Sequence, residues 1–249
     1  MKRITLLAAM LITFSVFSQG VTNYHMVYVK TADQAKFEEV EKNYMSKLAQ
    51  EAVDKGQMMY WALEKVVHPN VPIGGKLNHP LEGNWYQFVI VHNNLKSYLN
   101  VGPWWQNAGE RLNINPQLLS YTAEQGGMYL WNIEDTAWGN QVAKYSLYNF
   151  GFAEEPQTFL DIQKPYKKTL EAEMKKGEAK RAGWVSGTRI SPNNWGEHNV
   201  MTWDGFMTLE DALSHLLTKG SAKTFKEWGM SSGFDMRIIC EKIVETTSN

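Results

Sequence analysis

The chain has 249 residues, 12% of them aromatic, and carries 25 basic against 26 acidic side chains. Without Lys2 and Arg3 the balance is 23 against 26, a net charge of −3, which excludes the basic surface that nucleic-acid binding requires. Cys240 is the sole cysteine, so an internal disulfide is excluded, and the length is enough to bury a core without one.

In chain order, Lys2-Arg3 and the apolar stretch Ile4 to Phe17 precede Val16-Phe17-Ser18, the small and moderate residues that a signal peptidase reads. Residues 1–19 therefore read as a signal peptide, with Gln19 or Gly20 as the mature start. The apolar run is shorter than the ~20 residues of a membrane span. No cysteine stands near the cleavage point to carry a lipid. The expected mature chain is exported, to the periplasm or beyond, with no membrane span.

Tyr24 to Val29 is predicted as a strand, and Asp33 to Lys55 as a helix with Phe37, Val40, Tyr44 and Leu48 on one face and Gly56 at its end. Met58 to Val67 and Trp85 to His92 are predicted strands. Leu95 opens a second helical region, and Met128 to Ile133 closes this half as a strand after Gly126-Gly127. Tyr145 to Phe150 then begins the same order again. Pro156 suits a first helical turn, and Phe159, Ile162, Tyr166, Leu170 and Met174 share a face up to Gly177. Pro165 predicts a kink or restart within that helix. Gly183 to Ile190 and Asn199 to Trp203 are predicted strands, Leu209 to Leu217 a helix, and Met236 to Val244 the last strand. Lys175-Lys176 and Lys180-Arg181, interleaved with Glu171, Glu173 and Glu178, read as a solvated helix face. Cys240, within Ile238-Ile239-Cys240, reads as a buried free thiol.

The two halves are a duplication. Phe37, Val40, Lys42, Tyr44 and Leu48 recur as Phe159, Ile162, Lys164, Tyr166 and Leu170, a shift of 122 residues. Trp61 with His68-Pro69-Asn70 recurs as Trp184 with Ser191-Pro192-Asn193, a shift of 123. The expected organisation is a first repeat at 20–135, a linker at 136–144 and a second repeat at 145–249. Each repeat has the strand-helix-strand-strand-helix-strand order of a ferredoxin-like fold. Strands apolar on both faces, such as Trp85 to Val91, need cover on both sides. The expected fold is α+β, with two antiparallel sheets facing each other in an intrachain barrel wrapped by helices.

In this pattern the chain resembles the dimeric α+β barrel superfamily in a tandem-fused form. That superfamily includes antibiotic-biosynthesis-type monooxygenases, haem-degrading monooxygenases and dye-decolourising peroxidases. The resemblance to the haem-degrading members implies an Asn on the first strand, a Trp on the third and a ligating His on the next helix. Asn149, Trp203 and His215 supply those types in that order, which implies a haem alternative to a cofactor-free protein.

Three other groups are candidates on residue chemistry. His92, His198 and Asp204 flank the third strands and suit general acid–base work on a phenolic or dicarbonyl substrate. Trp61 and Trp184, like Tyr44 and Tyr166, recur as expected of packing between helix and sheet; facing inward, the two tryptophans would line a barrel pocket with Trp85 and Gln87. Gly102-Pro103-Trp104-Trp105 and the loop Asn70 to Asn84, bracketed by His68-Pro69 and His79-Pro80, break the repeat, and Trp104-Trp105 suits either a ligand or partner contact or a lid. The six histidines have no metal-ligand spacing, and no phosphate loop or nucleophile elbow is present. The reading reached is an exported monomer or weak dimer that binds a small apolar or aromatic molecule. Oxygenation and a structural role are the alternatives.

Overall fold

The computed structural model describes residues 20–68, 82–192, 198–217, 222–230 and 233–246. The first half comprises β1 (Val21–Lys30), helix α1 (Thr31–Val40, Glu41–Met45 and Ser46–Asp54, the middle piece π-helical), β2 (Tyr60–His68), β3 (Gly83–His92), α2 (Leu95–Asn100), α3 (Ala108–Leu112) and β4 (Glu124–Trp138). The second comprises β5 (Tyr145–Gly151), α4 (Pro156–Lys176), β6 (Arg181–Ser191), β7 (Val200–Phe206), α5 (Leu209–Leu217), α6 (Ala222–Glu227) and β8 (Met236–Glu245). The signal segment, most of the loop after His68 with His79, and Asn193 lie outside the described residues.

The strands form one closed antiparallel barrel in the order β1-β3-β2-β8-β5-β7-β6-β4. Each half supplies four consecutive strands, and the halves join along two seams, β2 with β8 and β4 with β6. β4 continues through Thr136 to Trp138 in its pairing with β6, so the expected linker shrinks to the residues between Trp138 and Tyr145. α4 runs unbroken from Pro156 to Lys176 with Gly177 in the left-handed conformation at its end. The restart expected at Pro165 does not occur. The proline removes one backbone donor, but Phe159, Leu170 and Met174 remain buried along the same face and hold the helix to the sheet.

Side chains alternate across each strand. Tyr24, Met26, Ala62, Val89, Trp131, Tyr148, Phe150, Ile238 and Cys240 fill the barrel. The rings of Tyr24, Tyr148, Phe150 and Trp131 meet at centroid separations of 5.2 to 6.5 Å. An eight-stranded barrel is just wide enough for its own side chains, and here aromatic rings occupy the centre. Among them lies Glu64, which accepts hydrogen bonds from Ser146 and Tyr148, each 2.7 Å long. Burial pushes its carboxyl up, partly offset by those two donors.

The opposite faces pack on helices. Trp61 and Trp184, both 1% exposed, lie here and not inside the barrel. Trp61 joins Phe37, Leu48 and Trp104 on α1's side, and Trp184 joins Leu170 and Met174 under α4. Packing explains their recurrence, and neither lines an internal pocket.

The π-helical turn of α1 turns Glu41 inward, where it is 2% exposed and accepts a hydrogen bond of 2.9 Å from Tyr121. Burial pushes its carboxyl up to about 7 from 4.5. A raised folded pKa makes this acid most compatible with the fold below pH 4.5, and the stability it contributes is lost as pH rises toward 7. Glu41→Gln removes that dependence. Relative to the variant, the natural chain is expected to lose up to roughly 3 kcal/mol between pH 4.5 and 7. Urea unfolding at pH 5 and pH 8 checks this; parallel shifts of both proteins would contradict it.

Candidate functional site: a buried charge network beside a cleft

The helix-facing side of the second half-sheet carries polar residues where an apolar layer is expected. Strand pairing places Ser186, Thr202, Asn149 and Arg237 in one row across β6, β7, β5 and β8. Asp204, opposite Trp184, stands one step along. Asn149 donates to Thr202 at 3.0 Å and to Asp204 at 2.9 Å, and accepts from Arg237 at 2.7 Å. Arg181, at the start of β6, brings Nη1 to 3.0 Å from Asp204 Oδ1 and also donates to the Tyr166 hydroxyl. Its Nη2 lies 3.2 Å from His215 Nδ1, and His215 Nε2 is 3.9 Å from Asp204.

His215 therefore sits between a guanidinium and a carboxylate, with its ring 5.6 Å from that of Phe206. Burial pushes its imidazole pKa down; Asp204 opposes this, while Arg181 and Arg237 push the same way. The neutral form, able to accept a hydrogen bond, prevails at neutral pH. Outside this network a cleft of about 280 Å³ opens between α4, the start of β6 and α5. Leu170, Glu173, Lys180, Arg181, Asp211, Ser214 and His215 are among its walls. Lys180 is paired with Asp211 at 2.9 Å.

Of the residues singled out in the sequence, Asn149, Asp204 and His215 meet here. Trp203 does not, because alternation along β7 points it to the other face, where its ring lies 5.5 Å from that of Trp138. His92, His198 and Asp204 form no common site. His92 is buried at the end of β3 against Tyr98, and His198 pairs with Asp235 at 2.7 Å ahead of β7, near whose far end Asp204 stands. Trp85 and Gln87 face the barrel interior, and the fully buried Gln87 amide has no hydrogen-bond partner among the described residues. Trp104 is nearly buried against Trp61, and Trp105 is 52% exposed. Arg181, Arg237 and Tyr166 complete the network without having stood out in the sequence as polar site residues. No group of three metal-ligating side chains occurs among the described residues.

These residues do not fit a haem. The cleft lies at the low end of the ~300–1,000 Å³ of small-molecule and cofactor pockets, with room for one ring and not for a four-ring macrocycle. Its walls carry Glu173, Glu178 and Asp211, and the His215 imidazole edge is taken up by Arg181. Removing one partner of a buried pair strands the other charge. Asp204→Ala is thus expected to cost about 3–5 kcal/mol by leaving Arg181 unpaired. Chemical denaturation checks this, and a loss below about 1 kcal/mol, the surface-pair range, would contradict it.

No known family profile matches the sequence, and no curated protein matches it. Solved structures do. A candidate monooxygenase from Fusobacterium nucleatum superposes with a TM-score of 0.54 at 11% identity, covering 94% of this chain and 96% of its own. A candidate monooxygenase from Lactobacillus acidophilus gives 0.51 at 10% identity, over 92% and 96% of the two chains. A chlorite dismutase variant from Candidatus Nitrospira defluvii gives 0.50 at 6%, over 90% and 91%. At such identities the likeness establishes the fold alone: this chain has the dimeric α+β barrel fold, with both halves supplied by one polypeptide.

Proposed function

We propose that this protein binds a small organic molecule in the cleft of its second half, and that the barrel interior serves as core. The observation that carries this reading is the Arg181–Asp204–His215 network at the cleft floor. Buried charge contributes little to stability, so its presence beside an opening calls for another role. The volume suits a one-ring molecule. Arg181 and Lys180 offer donors at the cleft wall, and Glu173 an acceptor for a ligand N–H. We also read residues 1–19 as an export signal, which makes the ligand one met outside the cytoplasm.

Backbone amide shifts of Leu170, Ala179 and His215 test the site. Phenol, benzoate and benzamidine are one-ring probes of different charge. At least one is expected to move these resonances saturably at millimolar concentration. Ser214→Trp, which fills the cleft from α5, is expected to abolish the shifts without changing thermal stability by more than a few degrees. Silence with all three probes would end the reading.

A second reading is a cofactor-free oxygenation whose opening step has His215, at the cleft wall, exchange its Arg181 contact for the hydroxyl of a phenolic or dicarbonyl substrate and take its proton. Oxygen uptake with such substrates, lost in His215→Ala and kept in His92→Ala, would favour the enzyme. For the haem alternative, titration of the purified protein with haem is expected to give no Soret band that depends on His215.

A further inference from the structure

The duplication supplies a template for the ligand. Aligning Trp61 with Trp184 sets Met58 opposite Arg181, and through their strand partners Ile90 opposite Asp204. The helices after β3 and β7 start alike, three residues beyond His92 and Phe206, which sets Val101 opposite His215. The 122-residue shift sets Leu48 and Glu51 opposite Leu170 and Glu173. The first-half counterpart of the cleft is therefore the space among Leu48, Met58 and Val101, and that space is filled. Trp104 packs there in one cluster with all three, edge-on to Trp61 at 6.3 Å. Arg111 seals it, its Nη2 2.6 Å from Glu51 and its Nη1 bonded to the Trp104 carbonyl oxygen at 2.5 Å.

The first half thus plugs its own cleft with an aromatic ring and a guanidinium held by a glutamate. The second half keeps that glutamate, as Glu173, and the apolar wall, as Leu170, at an open cleft. Glu173, exposed on α4, has no ion pair within 4.0 Å among the described residues and acts on Arg181 only at longer range, whereas Arg181 and Lys180 are directly paired, with Asp204 and with Asp211. Among the lining residues Glu173, Glu178 and Asp211 stand against Lys180 and Arg181, which leaves the wall with an excess of negative charge.

From this we infer that the cleft takes an aromatic ring carrying a cationic nitrogen group, an aryl amidine, guanidine or amine, with the cation on Glu173 and the ring over Leu170. The inference rests on the cleft being a ligand site, and it names the ligand's class. Isothermal titration of the purified mature chain with benzamidine, neutral benzamide and benzoate tests it. Benzamidine is expected to bind at least tenfold more tightly than either. Glu173→Gln is expected to reduce benzamidine affinity about tenfold, the worth of one charge-assisted hydrogen bond, and to leave benzamide unchanged. Benzamide or benzoate binding as well as benzamidine, or an indifferent Glu173→Gln, would overturn the ligand class while leaving the cleft a binding site. No binding of any probe would overturn the cleft and the class together.

Discussion

A four-stranded half-sheet has two open hydrogen-bonding edges, and this chain closes both against its own duplicate. The β2–β8 and β4–β6 seams satisfy the edges and turn the two sheets into one barrel. Everything else follows from that closure. Strands have one face inside a ring that side chains can fill, and here aromatic rings around Glu64 occupy it. The helices cover the outer faces, and the cleft beside Arg181 and His215 opens on one of them.

On those outer faces the two halves resolve the same geometry differently. The first is apolar among Leu48, Met58 and Val101 and sealed by Trp104. The second puts Arg181, Asp204 and His215 at the positions of Met58, Ile90 and Val101. A buried ion pair loses most of its attraction to desolvation and is held in place by further hydrogen bonds. Asn149 and Arg237 supply those bonds to the network. The first half shows that the scaffold folds with hydrophobic residues at these points, so the charges are not a requirement of the fold.

Much of the architecture was legible in the sequence because packing repeats. Phe37 and Phe159, Leu48 and Leu170, and Trp61 and Trp184 recur since each fills the same gap between helix and sheet. The π-helical turn at Glu41 was not legible, because it depends on an inward carboxylate meeting Tyr121 from a distant loop. Of the kink or restart expected at Pro165, the restart does not occur, because local propensity loses to the burial of one helix face. For the site, Asn149, Asp204 and His215 were found, but separately and for other reasons. The missing signal was a comparison by position: a pairing of Arg181 with Met58 marks where the repeat changes from oil to charge. Trp203 misled because residue order along β7 does not reveal which face a side chain takes unless the register is known.

The most direct measurement converts the second half to the first at two points. Arg181→Met with Asp204→Ile replaces the buried pair by its apolar counterparts, and urea unfolding is compared with that of the natural chain. Stability unchanged or raised by about 1–4 kcal/mol is the expected result, since the first half folds with apolar residues at these positions. A double variant that unfolds several kcal/mol more easily would contradict this, and would assign the pair to the fold alone.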